Sequence, residues 1–478
     1  MTGSFVLHFK PNISVIEKST DDIVIQSPKV RGNIPQHRLN IEQISPGLLS
    51  VIRILANDGA TEEDLSNLVL EADGFSQLPK LYYYLQEFIN FGMICHTVVC
   101  EEYPLATRFP IYLTQKFQFQ DIAVDQKYVL SRFAYSHKEQ EQLVLASPLV
   151  SAQIILANWK SAAVIAELSK PQTCQELCTK IPGISQQIMQ LFLSLLLSTK
   201  MLSEVKMDGK AEEETNKNLI SWEFHDLLFH CRHRNGKHSY PSGKTFRFLD
   251  KLEQPPLAKP RMSNDTIELY KPDIQKLKEE DYSFTLVLEE RQSIRSYKDE
   301  PITDRQLGEF LYRSARNKRR IYKDYGECTH RPYANGGGRY ELELYTIVNT
   351  CHNIDSGIYH YCPQEHQLCR LTERNNYVEM LLKDAYFATS RFSMPQVLFV
   401  YAARFPRIAW VYESIAYSLI LKDVGCLQQT MYLVATAMNL APCAVGSGNS
   451  DLFVAATGTD YYAETSVGEF ILGSKAES

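Results

Sequence analysis

The first half of the chain contains a degenerate internal repeat, and this repeat constrains the fold more than any other feature of the sequence. Each copy begins with a Ser-Pro pair, at Ser45 and at Ser147, and runs on into an apolar segment. Each then has a threonine followed three residues later by an acid, at Thr61 and at Thr173, which is a signature of a helix start. A longer apolar helix and a β-prone segment follow in both copies. The repeat therefore predicts two similar modules, each built from three helices and a strand.

This order of elements is that of a winged helix, a module that often binds DNA. The predicted third helices carry Tyr82-Tyr-Tyr84 in one copy and a glutamine-rich turn from Gln186 in the other, with almost no Arg or Lys. A helix that tracks phosphates should be basic, and the formal net charge of −6 points the same way. Winged helices also expose a wing strand to which a peptide can add as a further strand. We therefore expect winged-helix-like, peptide-binding modules at residues 1–110 and 111–210, and no nucleic-acid partner.

Length and cysteine content limit the number of domains and the kind of protein that this chain can form. At 478 residues, two to three domains are expected. The eleven cysteines are scattered, with no Cys-x-x-Cys pair, which indicates reduced thiols in a cytoplasmic protein rather than a disulfide framework or a zinc site. Neither a signal peptide nor an apolar run long enough to span a bilayer is evident, so no membrane partner is expected. His225 and His230 lie five residues apart, out of register on a helix, so no metal is expected.

A polar linker with an aromatic helix is assigned to residues 211–280, and the pattern becomes mixed α and β over residues 281–478. Residues 340–348 alternate in polarity as a strand does. Residues 409–439 predict a long, mostly apolar helix that ends near Asn439. A helix this apolar is expected to be buried on most sides, as at an obligate dimer interface. The pattern indicates an α+β fold.

An Arg291-x-Ser293-x-Arg295 triplet opens this last domain. In an extended segment alternate residues share one face, so two guanidiniums and a hydroxyl would be presented together. Two forked cations around a hydroxyl suit a phosphate monoester. A solvated edge is the plainer interpretation of the triplet taken alone.

Two glycine-rich stretches follow, one before the predicted strand and one after the long helix. Glycines let the backbone approach a flat ring or a phosphate without side-chain hindrance. Backbone N–H groups of the second stretch could point at an electronegative ring atom, and the first could equally be a plain loop. The two stretches are Asn335-Gly-Gly337-Gly338 and Gly446-Ser447-Gly448.

In this order the motifs resemble the flavin-dependent nitroreductase superfamily, most closely its SagB-type azoline oxidases and, among these, the cyanobactin oxidases. The resemblance covers roughly residues 220–478. The six motifs that carry it are Trp222-x-x-His225-Asp-Leu-Leu-Phe-His230, Arg291-x-Ser293-x-Arg295, Asn335-Gly-Gly-Gly338-Arg-Tyr-Glu-Leu-Glu-Leu-Tyr345, Ser356-Gly-Ile-Tyr-His-Tyr361, Gly425-x-x-x-Gln429 and Cys443-Ala-Val-Gly446.

The resemblance implies a nitroreductase-like domain, with a central sheet flanked by helices, that forms a homodimer and binds FMN at the subunit interface. It assigns residues to the phosphate and ribityl chain, to a loop that usually reaches the flavin from the partner subunit, and to the flavin ring near N5 and O4. These residues are Arg291, Ser293, Arg295 and Lys475 at the phosphate end, Asn335, Gly337 and Gly338 in the loop, Gln429 on the long helix, and Gly446, Ser447 and Gly448 at the ring.

One departure from the family pattern concerns the catalytic base. SagB-type oxidases carry a Lys-Tyr pair after an aromatic residue, and this chain has Val411 and Tyr412 there. Oxidation of an azoline needs a base for the ring Cα–H, so Tyr412 is the candidate acid–base residue. A tyrosine with its ordinary pKa near 10 needs another group to help it at neutral pH. A core tyrosine without a catalytic role is the alternative interpretation.

Three functions follow from these features. The first is an FMN-dependent oxidase that converts thiazoline or oxazoline rings in a heterocyclised precursor peptide to thiazole or oxazole, with O2 as the final acceptor. The second is an NAD(P)H-dependent nitro or quinone reductase, for which the N-terminal modules would be superfluous. The third is a winged-helix regulator with an inactive flavin domain. A basic run at residues 313–323 is either a solvated helix face or a landing surface for an acidic leader sequence.

Overall fold

A computed structural model of the protein describes residues 4–19, 22–28, 36–111, 117–234, 237–238, 240–323 and 326–476. The chain divides into two compact units, Met1–Ser242 and Gly243–Ser478. The division falls inside the segment 211–280 that was assigned to a linker. The finer division into four parts stays a prediction.

Both predicted modules of the first unit have three helices followed by a strand. The helices of the first module are Pro46–Ala56, Glu62–Asp73 and Leu78–Asn90, and its wing strands are Ile94–Cys100 and Tyr103–Pro110. The helices of the second are Trp159–Glu167, Cys174–Lys180 and Gln186–Ser198, and its wing strand is Leu202–Glu204, which pairs with Tyr128–Leu130. Two further helices, Glu212–Thr215 and Phe224–Arg232, complete the unit. The winged-helix prediction is confirmed.

Matching caps start the second helix of each module. The hydroxyl of Thr61 accepts a hydrogen bond from the backbone N–H of Asp64 at 3.2 Å. The hydroxyl of Thr173 accepts one from Glu176 at the same distance, and the Glu176 carboxylate accepts the N–H of Thr173 at 2.7 Å. Each cap stabilises its helix by about 1 kcal/mol. These two caps are the signals that revealed the repeat in the sequence.

One antiparallel sheet of seven strands runs through both modules, which the repeat did not predict. Pairing of Tyr103–Pro110 with Ala152–Leu156 joins the wing of the first module to strands of the second. In sheet order the strands are Ala60–Thr61, Val6–Phe9, Ile94–Cys100, Tyr103–Pro110, Ala152–Leu156, Gln142–Ala146 and Tyr135–Glu139. A separate three-stranded sheet is formed by Ser14–Glu17, Ile23–Gln26 and Arg38–Ile41.

The second unit is built on another antiparallel seven-stranded sheet with helices on both faces. Its strands, in sheet order, are Thr266–Glu268, Gln367–Glu373, Gly357–Cys362, Leu342–Val348, Val397–Arg404, Glu464–Ser474 and Leu440–Val445. One face packs on the helices Asp304–Ala315 and Ala416–Ala437, and the other on Asn376–Ala388 and Ser450–Thr457. Further elements of this unit are the helices Ile274–Glu280, Phe284–Glu290 and Phe405–Ala409. The strands Arg319–Lys323 and Gly326–His330 form a hairpin.

Because helices cover both faces, the central strands are buried along their whole length. Every residue of Leu342–Val348 is buried, although the sequence there alternates in polarity. The α+β prediction, a central sheet flanked by helices, is confirmed. The basic run at 313–323 is not one helix face, because the helix ends at Ala315 and a strand begins at Arg319.

The long helix is shorter than predicted. The sequence indicated helix over residues 409–439, but the helix spans Ala416–Ala437 and Tyr412–Glu413 is a short strand paired with Gly243–Lys244. Ser414 has a positive φ of 62°, which a helix cannot accommodate. The predicted end is correct, since Asn439 has the left-handed conformation, with φ 54°.

The proline-rich segment before the sheet is a docked part of the second unit. The indole of Trp410 donates a hydrogen bond to the carbonyl of Leu252 at 3.0 Å. Arg407 donates to Pro255 at 2.9 Å, and Arg404 donates to Pro256 at 2.8 Å. These side-chain donors thus satisfy backbone carbonyls of a segment whose prolines, having no N–H, cannot form a regular β-ladder.

The helices of the described part of the chain include none that is both long enough and apolar enough to cross a membrane.

Candidate active site

The Arg-x-Ser-x-Arg segment leaves the end of helix Phe284–Glu290 in an extended conformation. The Ser293 hydroxyl lies 2.8 Å from the hydroxyl of Tyr432, and the Arg291 guanidinium lies 5.3 Å from the centre of the same ring. The Tyr432 hydroxyl also accepts the backbone N–H of Ala444 at 2.7 Å. Arg291 and Ser293 are therefore fixed beside the long helix and next to the strand that leads into residues 446–448.

Lys475 is brought to the same segment by the last strand. It forms a β-bridge with Tyr297, two residues beyond Arg295. The ring of Tyr297 packs on Gly473, where a β-carbon would collide with it. In the described part of the chain, no carboxylate pairs with the guanidinium of Arg291 or Arg295. This end of the site thus carries positive charge without a counter-ion among the described residues.

A cavity of about 330 Å³ lies between the long helix and the end of the sheet. Its lining residues come from the helix, from the glycine turn and from the last strand. They are Val424, Gln428, Val445, Gly446, Ser447, Gly448, Ser450, Ser466, Val467, Gly468 and Glu469. Gln428 lies one helical turn before Tyr432, so the cavity and the Arg-x-Ser-x-Arg segment are about 6 Å apart along the helix. The predicted Gln429 is exposed on the same helix.

Glu469 is a site residue that the sequence analysis missed. Its carboxyl group lies against the Cα of Gly448, and the residue is 8% exposed. Burial raises the pKa of Glu469 to about 7, so the group can hold or release a proton near neutrality. Its one signal in the sequence is that Glu469 interrupts the apolar segment Val-Gly-Glu-Phe-Ile-Leu.

The loop at residues 335–338 is held by two buried acids. The Asn335 amide donates to Asp423 at 2.7 Å and to Glu341 at 3.0 Å, and its carbonyl accepts the N–H of Tyr340 at 2.7 Å. The N–H of Gly336 also donates to Asp423, at 3.1 Å. Burial, and then the charge of Glu341, raise the pKa of Asp423 to about 8. The Asn335 side chain is thus occupied in holding the loop in shape.

Tyr412 meets this loop, and Val411 does not face the cavity. The Tyr412 hydroxyl lies against Gly337, where a β-carbon would collide with it, and Gly337 needs its left-handed φ of 66° to make room. Val411 is 1% exposed and packs in the hydrophobic core. A lysine at position 411 would have to enter that core.

Apart from Gln429, which is exposed, the predicted site residues form two groups beside one helix. The first group consists of Gly446, Ser447 and Gly448 at the cavity and of Arg291 and Ser293 at Tyr432, one helical turn away, with Arg295 and Lys475 beside them. The second group is Asn335, Gly337, Gly338 and Tyr412, held through Asp423. Asp423 and the cavity residue Val424 are neighbours on the helix, so both groups share one support. No set of three or more histidine, cysteine and acidic residues in the described part of the chain is arranged to hold a metal.

Three models of known protein families match parts of this chain. The model of the nitroreductase family matches residues 288–473, so the second unit has the nitroreductase fold. The model of the cyanobactin oxidase ThcOx matches residues 128–239, and that of the ThcOx helix-turn-helix domain matches residues 1–119. The resemblance of this chain to the cyanobactin oxidases is thereby confirmed, and these matches support an oxidoreductase.

The chain is also similar to individual proteins. A protein of Methanocaldococcus jannaschii named as a nitroreductase is 28% identical over 186 residues, which are 38% of this chain and 85% of that protein. A Ralstonia eutropha structure named as a nitroreductase is 17% identical and covers 50% of this chain and 100% of its own, with a TM-score of 0.37. The Escherichia coli microcin synthetase McbBCD, solved with truncated pro-MccB17 bound, is 17% identical and covers 52% of this chain and 91% of its own, with a TM-score of 0.35.

Proposed function

We propose that the protein is an FMN-dependent oxidase that converts thiazoline or oxazoline rings to thiazole or oxazole in a ribosomally made precursor peptide. O2 is the final electron acceptor, and the cytoplasm, where the free cysteines stay reduced, is the site of action. The observation that carries this proposal is that one helix, Ala416–Ala437, contacts the cationic segment through Tyr432 and lines the cavity through Gln428, opposite the buried acid Glu469.

The residues present fit FMN. Arg291, Ser293 and Arg295, with Lys475 beside them, offer positive charge and hydroxyl donation to a phosphate, and the described protein supplies no competing carboxylate. The cavity is within the range of about 300–1,000 Å³ that small-molecule sites occupy. Bound FMN would supply the two-electron acceptor that ring oxidation requires.

Within this site we assign Glu469 as the proton acceptor. Ring oxidation removes a proton from carbon, and a carboxylate with a pKa near the working pH is suited to that task. Gly446 and Ser447 line the cavity, and Gly448 leaves room for the Glu469 carboxyl. In this proposal Glu469 takes the role of the family lysine, whose position is occupied by Val411 in this chain. Tyr412 remains the second candidate, because its hydroxyl lies against the predicted flavin-facing loop.

The first unit provides surfaces for the peptide. The wing strand Leu202–Glu204 pairs on one side with Tyr128–Leu130; beyond its end the isolated bridge Val205–Ala211 follows, and no other strand of the described residues pairs with its second edge. A cavity of about 400 Å³ lies beside this strand and is lined by charges of both signs, among them Lys200, Lys206 and Glu212. A peptide that adds a strand to this edge would find polar partners in the cavity.

A homodimer is part of the proposal. Tyr417 and Leu421 on the long helix are 46% and 41% exposed, and they are four residues apart on one face. The helix Phe284–Glu290, which leads into the cationic segment, exposes Phe284, Leu286 and Leu288 as well. Apolar surface of this kind next to a site indicates a partner, and a second copy is the partner that the resemblance implies.

Two measurements test the proposed function. The purified protein should show a flavin absorption spectrum, and the FMN-loaded protein should remove two hydrogens from each ring of a thiazoline-containing peptide while consuming O2. An FMN-loaded protein that leaves the peptide unchanged but reduces nitro compounds or quinones with NAD(P)H would establish the reductase instead. A colourless protein without affinity for FMN would support the regulator with an inactive flavin domain.

A further inference from the structure

Four chemically reactive side chains lie together in the second unit, apart from the cavity and the glycine loop. His360 stands between Glu343, 3.1 Å from its Nε2, and Cys362, 3.8 Å from its Nδ1. The sulfur of Cys362 lies 2.8 Å from the sulfur of Cys369. All four residues are buried, with exposures of 4% or less. The proposed oxidase reaction uses none of them.

The sheet register fixes this cluster. His360 is directly opposite Cys369, and Cys362 is opposite Gln367, so the two cysteines are diagonal neighbours on one face of the hairpin. Glu343 comes from the adjacent strand Leu342–Val348, which pairs with the His360 strand. The arrangement is therefore set by backbone pairing and does not depend on a flexible loop.

Charge in the cluster favours a reactive thiolate. Glu343 also binds Arg404 at 3.3 Å, and although burial opposes its charge, His360, Arg331 and Arg404 hold its pKa at about 2. Burial likewise opposes a charged His360, but hydrogen bonds with Cys362, Cys369 and Glu343 outweigh it and raise its pKa well above the ordinary value. A protonated imidazole held by an ionised carboxylate stabilises a neighbouring thiolate.

Cys369 differs from the other cysteines in this respect. Burial opposes its thiolate, yet hydrogen bonds with His360 and Cys362 lower its pKa. Burial raises the pKa of Cys95, Cys174 and Cys351 to about 12. Among the described cysteines whose pKa departs from the ordinary value, Cys369 is the one whose pKa is lowered.

We infer that Cys362 and Cys369 form a redox-active dithiol that hydrogen peroxide oxidises to a disulfide. The Cys369 thiolate attacks one peroxide oxygen, the O–O bond breaks, and the departing hydroxide takes a proton from His360 to leave as water. Cys369 is then a sulfenic acid. The Cys362 sulfur attacks the Cys369 sulfur, the S–O bond breaks, and the Cys362 proton leaves with the hydroxide as a second water. Two thiols are oxidised and one peroxide is reduced.

The position of Cys369 gives peroxide a route to it. The strand that pairs with the Cys369 strand, Thr266–Glu268, is three residues long and lies at the edge of the sheet, with Thr266 opposite Cys369. Short edge strands open locally at low free-energy cost. Peroxide is also the product when O2 accepts two electrons, so the proposed oxidase reaction would generate this oxidant. The dithiol itself requires only that peroxide be present.

The test uses the full-length, reduced protein and added hydrogen peroxide, so it does not depend on the proposed oxidase activity. After brief treatment, alkylation under denaturing conditions and peptide mass spectrometry should show a Cys362–Cys369 cross-link that dithiothreitol reverses. Cys362→Ser should stop at a Cys369 sulfenic acid that dimedone traps. Cys369→Ser should leave Cys362 reduced.

The half-buried thiols Cys178, Cys351 and Cys426 are internal controls. The inference is overturned if they are oxidised before the pair, or if no cross-link forms in folded protein. His360→Gln should slow cross-linking by about 10²-fold, as loss of a proton donor does. An unchanged rate in that variant would mean that His360 does not take part in the mechanism. In denaturant-unfolded protein the pair should react more slowly than in folded protein.

Discussion

Arg291 and Arg295 are the residues on which cofactor retention is expected to depend. We expect Arg291→Ala and Arg295→Ala each to weaken FMN binding by about 1.5–3 kcal/mol, since each removes a charge-assisted contact with the phosphate. Fluorescence titration of the apoprotein with FMN measures the Kd. Arg305→Ala is the matched control, because Arg305 stacks on Tyr270 at 3.9 Å and belongs to neither site group. Unchanged FMN affinity in both variants would refute the phosphate assignment.

Glu469 should set the pH dependence of turnover. A base acts in its ionised form, so kcat/KM for a thiazoline peptide should rise as the pH passes upward through about 7. Glu469→Gln should remove this rise and lower kcat/KM by about 10²–10⁴-fold while FMN stays bound. Tyr412→Phe is the comparison variant and should keep the rise. If the rise survives in Glu469→Gln and disappears in Tyr412→Phe, the base is Tyr412.

Asp423 ties the glycine loop to the long helix. We expect its protonation to make the free energy of unfolding depend on pH. Its folded pKa, about 8, lies above that of a carboxyl in the unfolded chain, about 4. The folded state therefore binds more protons between these values, and the contribution of Asp423 to stability falls as the pH rises from about 4 to about 8. Asp423→Asn should remove this dependence. Denaturant unfolding of both proteins at several pH values measures it, and a difference that does not change with pH would contradict the expectation.

Elements with strong local signals could be predicted from the sequence. The capping residues Thr61 and Thr173 revealed the repeat, and the caps are present. The end of the long helix at Asn439 was also predictable, since asparagine tolerates the left-handed conformation. The start of that helix was not, because residues 410–415 are as apolar as the helix and no sequence pattern marks the turn at Ser414.

Features that depend on distant pairing could not be predicted. The continuous sheet of the first unit joins strands some forty residues apart, and the Cys362–Cys369 contact depends on sheet register. Glu469 was missed because its role comes from a cavity formed with Gln428 and Gly448. The roles of the site residues named from sequence stay predictions, although Arg291, Ser293 and the turn at 446–448 lie close together.

At the scale of the whole molecule, the exposed face of the long helix predicts a homodimer. Light scattering should give twice the monomer mass, and Leu421→Glu should shift the protein to monomer, because a charge on that face would have to be desolvated in the dimer. Leu249→Glu is the control, since Leu249 is similarly exposed, at 55%, but lies outside both apolar helices. A monomeric wild-type protein that turns over substrate would rule the dimer out.

The two units should divide the work of binding and chemistry. Removing residues 1–242, at the boundary between the units, should raise KM for a heterocyclised peptide and leave turnover of a small azoline compound nearly unchanged. Circular dichroism and FMN content must first show that the remaining unit is folded. Equal loss of activity on both substrates would mean that the first unit supports the reaction directly. Unchanged activity on both would mean that the first unit serves something other than this reaction.

The sheet shared by the two N-terminal modules has a consequence for synthesis of the chain. Strand Tyr103–Pro110 acquires its second neighbour only when Ala152–Leu156 has been made, roughly 46 residues later. At about 5–20 residues per second, its edge is open for a few seconds on every ribosome. Unpaired edges invite pairing with another chain. Neighbouring nascent chains on one messenger RNA would meet during that interval, so slow translation between residues 110 and 156 should favour aggregation more than slow translation elsewhere.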